Sequence, residues 1–346
     1  MDVFDYLSKN CKEKFSAKSP LTEIDAMILS RFSYLPFDQI KMQKVESVSS
    51  IAKKMERVAD KHYIWPEDKK LIEKMSKTKR YRDLPAFEFK KRANKRTTEQ
   101  FSAISVYIPG GTVVISYTGT DSTLNGWRED CNMAILDTIP AQKSAKKYLK
   151  FIFKLYPEFD YCLVGHSKGG TLSMYAVTTA KKSIKSKIKN VYSFDAPGLS
   201  QKFAHSIPKN VVNYIPQDSF VGRLLNHTER TVVVKSDAKL LFQHNIYSWH
   251  VSLKTGKLIR TTINKKSDIA DRALKRWINK LTNKEKEAFF DLVFKVLEDS
   301  GVGTPNDMMK AGPSVIPKIY ESYRKLEKSD RQMFLKMVKL FLSPNS

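Results

Sequence analysis

Hydrophobic and polar positions along the chain follow three regimes. Up to about residue 100 the apolar residues recur at helical spacing. Leu21, Ile24, Ile28 and Leu35 form one stripe behind Ser19-Pro20, a helix start with serine as cap and proline in the first turn. Further helices are predicted around 48–61 and 67–77, while the run KKRANKR over 90–96 reads as a solvated connector. From Phe101 the pattern changes to strands. FSAISVYI and TVVISY flank Pro109-Gly110-Gly111 and predict a hairpin. A helix with Ala141, Ala145, Tyr148, Leu149, Ile152 and Leu155 on one face follows over 138–156 and stops at Pro157. Strand patterns then recur at Tyr161–Val164 and over 190–198, 211–219 and 231–236. Strands alternating with helices imply a largely parallel sheet with right-handed crossovers. Beyond about Asn264 only lysine-rich helices are predicted, over 284–299, 313–325 and 329–342, with Phe289, Leu292, Val293, Val296 and Leu297 giving the first of them an apolar face.

One strand ends in chemistry. After Tyr161–Val164 comes Gly165-His166-Ser167-Lys168-Gly169, which matches G-x-S-x-G, and helix-compatible residues follow at once. Such a strand–turn–helix elbow lifts a serine Oγ above the sheet, and its glycines keep neighbouring Cβ atoms from clashing. The turn lacks the spacing of a phosphate cradle. The expected fold is therefore an α/β-hydrolase: helical cover over 1–100, core over 101–263, and a basic helical appendage over 264–346.

A serine needs a histidine oriented by a carboxylate. In this fold the acid lies just past a strand end and the histidine beyond the last strand. Asp195 and Asp218 both meet the first condition; His244 and His250 meet the second, while His205 and His227 come too early. The preferred pair is Asp218 with His244, with Asp195 and His250 as alternatives. His166 is expected to pack beneath the turn. The Thr118-Gly119-Thr120-Asp121 loop follows an early strand, where a second oxyanion donor is needed beside the N–H of Lys168. Thr120 offers both its N–H and its hydroxyl.

YTGTDSTLNGWRED, GHSKGG, VYSFDAPG and the segment from Tyr214 to Asp218 resemble blocks of the class 3 (fungal triacylglycerol) lipases. The chain is still more similar to an uncharacterised bacterial family of lipase-like α/β-hydrolases sharing LTEIDAMILSRFSYLPF and QHNIYSW. The resemblance spans roughly residues 20–255. It implies Ser167 as nucleophile, Asp218 and His244 completing a triad, and Thr120 with Lys168 lining the oxyanion hole. Two positions depart: Thr118 stands where many class 3 lipases carry arginine, and Lys168 where leucine is common.

Composition bounds the rest. The 346 residues are 41% hydrophobic, ample for a packed core, and no apolar run is long enough to span a bilayer. The first residues lack the apolar stretch of a secretory signal, so a cytoplasmic location is expected. Cys11, Cys131 and Cys162 have no metal-ligand spacing, and neither a disulfide framework, a metal nor another cofactor is expected. The net charge of +25 is spread as +8, +11 and +6 over 1–100, 101–260 and 261–346. Without a basic arm or a recognition motif this does not favour nucleic acid as partner. The expected activity is hydrolysis of a carboxylic ester or lipid. The alternative is a hydrolase-fold binding protein whose basic helices contact anionic membrane or nucleic acid.

Overall fold

Apolar strand runs bury on both faces only if helices cover both, and that requirement sets the architecture. The computed structural model describes residues 1–301 and 316–342. Eight strands lie side by side in chain order: β1 (Val45–Ser47), β2 (Pro85–Asn94), β3 (Glu99–Ile108), β4 (Thr112–Tyr117), β5 (Asp160–His166), β6 (Ile188–Phe194), β7 (Val211–Pro216) and β8 (Arg230–Val234). The first four pair antiparallel, and β4 to β8 are parallel. This mainly parallel sheet between helical layers is the α/β-hydrolase fold.

Period-two alternation distributes the strand side chains. Val113, Ile115, Tyr117, Tyr161 and Leu163 pack against α6 (Pro140–Leu155) and α7 (Lys168–Thr178). Val114, Cys162, Val164, Phe194 and Tyr214 face the opposite way. There they share a core with α1 (Val3–Lys9), α2 (Glu23–Phe32), α3 (Val48–Met55) and α4 (Pro66–Lys77). The N-terminal helices are thus one layer of the fold. Each fully buried aliphatic or aromatic side chain contributes roughly 1.5–3 kcal/mol.

The region before residue 101 is not purely helical, because β1 and β2 come from it. The charged run expected as a connector is largely strand: Lys90 to Asn94 pair with β3 over Gln100 to Ala103 and Glu99. Since β1 meets β2 only at Pro85 to Phe87, the outer half of β2 is a sheet edge. Lysine and arginine there discourage pairing with another chain.

The helix predicted over 138–156 is α6, and the hairpin is β3–β4. Beyond the sheet, the helices Lys265–Lys280, Asn283–Asp299, Ile316–Lys325 and Lys328–Leu342 form small apolar clusters of their own, around Trp277, Leu281 and Met337 and around Leu292, Val296 and Leu326. Residues 313–315 of the helix predicted from Pro313 lie outside the described residues. These helices attach to the main body by polar contacts. Arg128 of α5 (Leu124–Asn132) lies 3.5 Å from Asp291 and 3.8 Å from Glu298, and Arg223 lies 2.6 Å from Asp268. Among the described residues no helix is long and apolar enough to cross a membrane.

Candidate active site

The turn after β5 has the geometry its glycines predict. Ser167 sits at φ 57°, ψ −135°, a strained backbone for a residue with a Cβ, and it opens α7 directly. Its N–H donates to the carbonyl of Phe194 at 2.9 Å, tying the turn to the end of β6. A Cβ on Gly165 would stand 2.1 Å from the carbonyl carbon of Gly169, and one on Gly169 would stand 2.2 Å from the carbonyl oxygen of Tyr117. Gly165→Ala is therefore expected to cost about 3 kcal/mol or more, read as a lowered denaturation midpoint.

The structure sets Asp195, the alternative of the two aspartates, and not Asp218 against His244. His244, in a short helical turn after β8, donates from Nδ1 to Oδ2 of Asp195 at 2.7 Å. Asp195 follows β6 at φ 45°, a left-handed conformation that aspartate tolerates. Its other oxygen accepts from Ser219 Oγ at 2.5 Å and from the N–H of Gly222 at 3.0 Å. The carboxylate is buried and both its oxygens accept hydrogen bonds, so it holds the imidazole in one tautomer with Nε2 as the free nitrogen.

Asp218, the residue preferred from the sequence and implied by the resemblance, does not reach His244. It clasps Gln243 instead: its N–H donates to Gln243 Oε1 at 2.8 Å, and its Oδ2 accepts from Gln243 Nε2 at 2.9 Å. Asn264 donates to the remaining oxygen at 2.5 Å. Asp218 thus fastens the segment that carries His244. The alternative histidine, His250, is paired with Asp237 at 2.6 Å. His227 spends both ring nitrogens on Glu229 and Leu224.

His166 packs beneath the turn as expected. Its ring centroid lies 4.5 Å from that of His244, and its Nε2–H donates to the carbonyl of His244 at 2.8 Å. The Tyr34 hydroxyl lies 3.1 Å from Nδ1. Burial, the neighbouring His244 and Arg31 hold its pKa well below the usual histidine range, so the ring is neutral. Behind it, Arg31 is sandwiched between Tyr34 and Trp65 and pairs with buried Asp68.

Lys168 follows the serine as the first residue of α7, and Thr120 lies on the loop after β4. The Thr120 hydroxyl donates to Asp130 Oδ2 at 2.5 Å, which leaves its N–H alone as the candidate oxyanion donor. Neither that N–H nor the N–H of Lys168 has an acceptor among the described residues. A close approach holds the loop to the elbow, since a Cβ on Gly119 would stand 2.6 Å from the carbonyl oxygen of His166. Sequence reasoning missed Glu129, Asp130 and Gln100, which surround the Lys168 ammonium from below. The block GWRED was visible, but no spacing told that its carboxylates turn inward.

The Mbeg1-like pattern matches residues 75–295, more than half of the chain and all of the residues just described except those of the N-terminal layer. The chain belongs to the Mbeg1-like family. The expected lipase-like family is thereby borne out. No curated protein sequence matches this Mbeg1-like chain. Among solved structures it is similar to Lip2 lipase from Yarrowia lipolytica, at 11% identity and a TM-score of 0.32, covering 44% of this chain and 65% of that one. The chain thus spans just under two thirds of that lipase. It is also similar to a Rhizomucor miehei lipase propeptide complex (12%, TM-score 0.41, 65% and 70% covered) and to a mutant MDLA from Penicillium cyclopium (14%, TM-score 0.39, 68% and 83% covered). At such identities no residue role passes from those proteins to this one.

Proposed function

We propose that the protein is a serine hydrolase of carboxylic esters, with Ser167 as nucleophile, His244 as general base and acid, and Asp195 as the orienting carboxylate. The observation that carries this reading is the Asp195–His244 hydrogen bond beside a serine held at a strained positive φ. Ser167 Oγ would attack the ester carbonyl as His244 Nε2 takes its proton. Asp195 keeps Nδ1 protonated and stabilises the imidazolium that forms. The developing oxyanion would accept from the N–H groups of Lys168 and Thr120, each such donor being worth about 10²–10³ in kcat. His244 then returns its proton to the leaving alcohol. Water, activated by the same histidine, hydrolyses the acyl-enzyme. The excess of positive charge favours esters borne by anionic lipid, a substrate class the fold alone does not fix.

Labelling by a fluorophosphonate probe tests the reading. The folded wild-type protein is expected to label and Ser167→Ala to stay unlabelled; equal labelling of the two, or none of either, overturns it.

A further inference from the structure

Lys168 is a costly way to fill a site that leucine would fill. Its side chain is fully buried, and removing an ammonium from water carries a penalty of several kcal/mol that only close partners offset. Those partners lie on the elements that frame the loop after β4. Nζ lies 2.9 Å from Glu129 Oε2 and 3.2 Å from the carbonyl oxygen of Gln100, with Gln100 Oε1 at 2.5 Å. Glu129 in turn accepts the N–H of Gln100 at 3.0 Å and that of Ala141 at 2.9 Å. Gln100 Nε2 donates to the carbonyl of Gly119 at 3.3 Å, and its Oε1 accepts the N–H of Asp121 at 3.4 Å. Asp130 accepts the Thr120 hydroxyl with Oδ2 and turns Oδ1, which has no hydrogen-bond partner, toward Nζ at 3.7 Å. One ammonium, carried by the residue after the nucleophile, therefore reaches both sides of Thr120: Gly119 and Asp121 through Gln100, and Thr120 itself through Asp130.

We propose that the Lys168 side chain, paired with Glu129, is a positioning group that fixes the Thr120 loop against the nucleophile elbow and so sets the separation of the two oxyanion donors. The inference rests on the hydrolase reading above and goes beyond it, because the backbone N–H of residue 168 would be present whatever its side chain. The Lys168 ammonium touches no substrate; it acts through Gln100 and Asp130. Burial pushes the Asp130 carboxyl up to about 6 against the pull of Lys168 and the Thr120 hydroxyl, consistent with a group placed for its contacts and not for its solvation. A merely structural pair would stabilise the fold without touching turnover, whereas a misplaced oxyanion donor lowers kcat and leaves KM alone.

The test is the double variant Lys168→Met/Glu129→Gln, which removes both charges at nearly constant volume and leaves Asp130 with the Thr120 hydroxyl as its partner. With p-nitrophenyl acetate as substrate, kcat is expected to fall about 10²-fold at unchanged KM, with wild-type circular dichroism. Unchanged kcat, or a loss confined to thermal stability, overturns the inference. Should the double variant not fold, Thr120→Val decides, because it keeps the N–H and removes only the tether to Asp130: lower kcat at constant KM supports the inference, and wild-type kcat overturns it. A wild type inert to both the ester and the fluorophosphonate would bring down the hydrolase reading itself, and this inference with it.

Discussion

Asp195→Asn is expected to lower kcat for ester hydrolysis about 10⁴-fold, while Asp218→Asn lowers it by no more than about tenfold. The two aspartates sit at the ends of neighbouring strands, and their partners separate them. Asp195 Oδ2 is the acceptor for His244 Nδ1, and an amide there would favour the wrong imidazole tautomer, leaving Nε2 protonated and unable to act as base. Its other oxygen is held by Ser219 and Gly222, so the substituted side chain would stay in place and the loss would be chemical. Among the described residues the side chain of Asp218 hydrogen-bonds only to Gln243 and Asn264. An asparagine there keeps one acceptor for Gln243 and slackens the histidine's segment without changing its protonation. Steady-state kinetics of both variants on one ester checks this, and the reverse ranking would return Asp218 to the role first expected for it.

The largest stability effect is expected at Asp68. Arg31 donates to it from Nε at 3.0 Å and from a terminal nitrogen to both carboxylate oxygens at 2.7 and 2.6 Å, and Tyr247 adds a hydroxyl at 2.8 Å. Both charged side chains are essentially inaccessible. Asp68→Ala strands a guanidinium that water cannot reach and is expected to cost about 3–5 kcal/mol. The paired replacement Arg31→Met/Asp68→Leu removes both charges and is expected to recover most of that loss. Urea denaturation of the three proteins measures it; equal midpoints for the single variant and the wild type would show that the pair contributes nothing net.

How much of this was legible in the sequence depended on whether the signal was local. The elbow was readable because an apolar strand, two glycines and a helical run are contiguous in the chain. The hairpin and α6 were readable for the same reason. The aspartate that meets His244 was not, since Asp195 and Asp218 both follow strands and only the direction of each side chain, set at Asp195 by a positive φ, decides between them. The resemblance favoured Asp218 because it compares positions in the chain and not side-chain directions. β2 was hidden because an edge strand has little to bury: the lysines and arginines that protect it look like a solvated loop. Lys168 stood out as a departure from leucine, but a charge in a sequence does not announce that it is buried, nor that Glu129, 39 residues earlier, will turn inward to meet it.

The pairing of β5 with β6 sets His166 opposite Phe194, and the next residue on each strand is Ser167 or Asp195. Ser167 and Asp195, the proposed nucleophile and acid, therefore belong to a single block, stitched by the Ser167 N–H to the Phe194 carbonyl. The histidine arrives separately, on a segment fastened by Asp218 to Gln243 and by the His166 ring to the His244 carbonyl. Two parts of the machine are welded and the third is bolted on. On the proposed reading, drift in alignment comes from the bolted part, so the accuracy of the whole assembly is governed by residues that never meet a substrate.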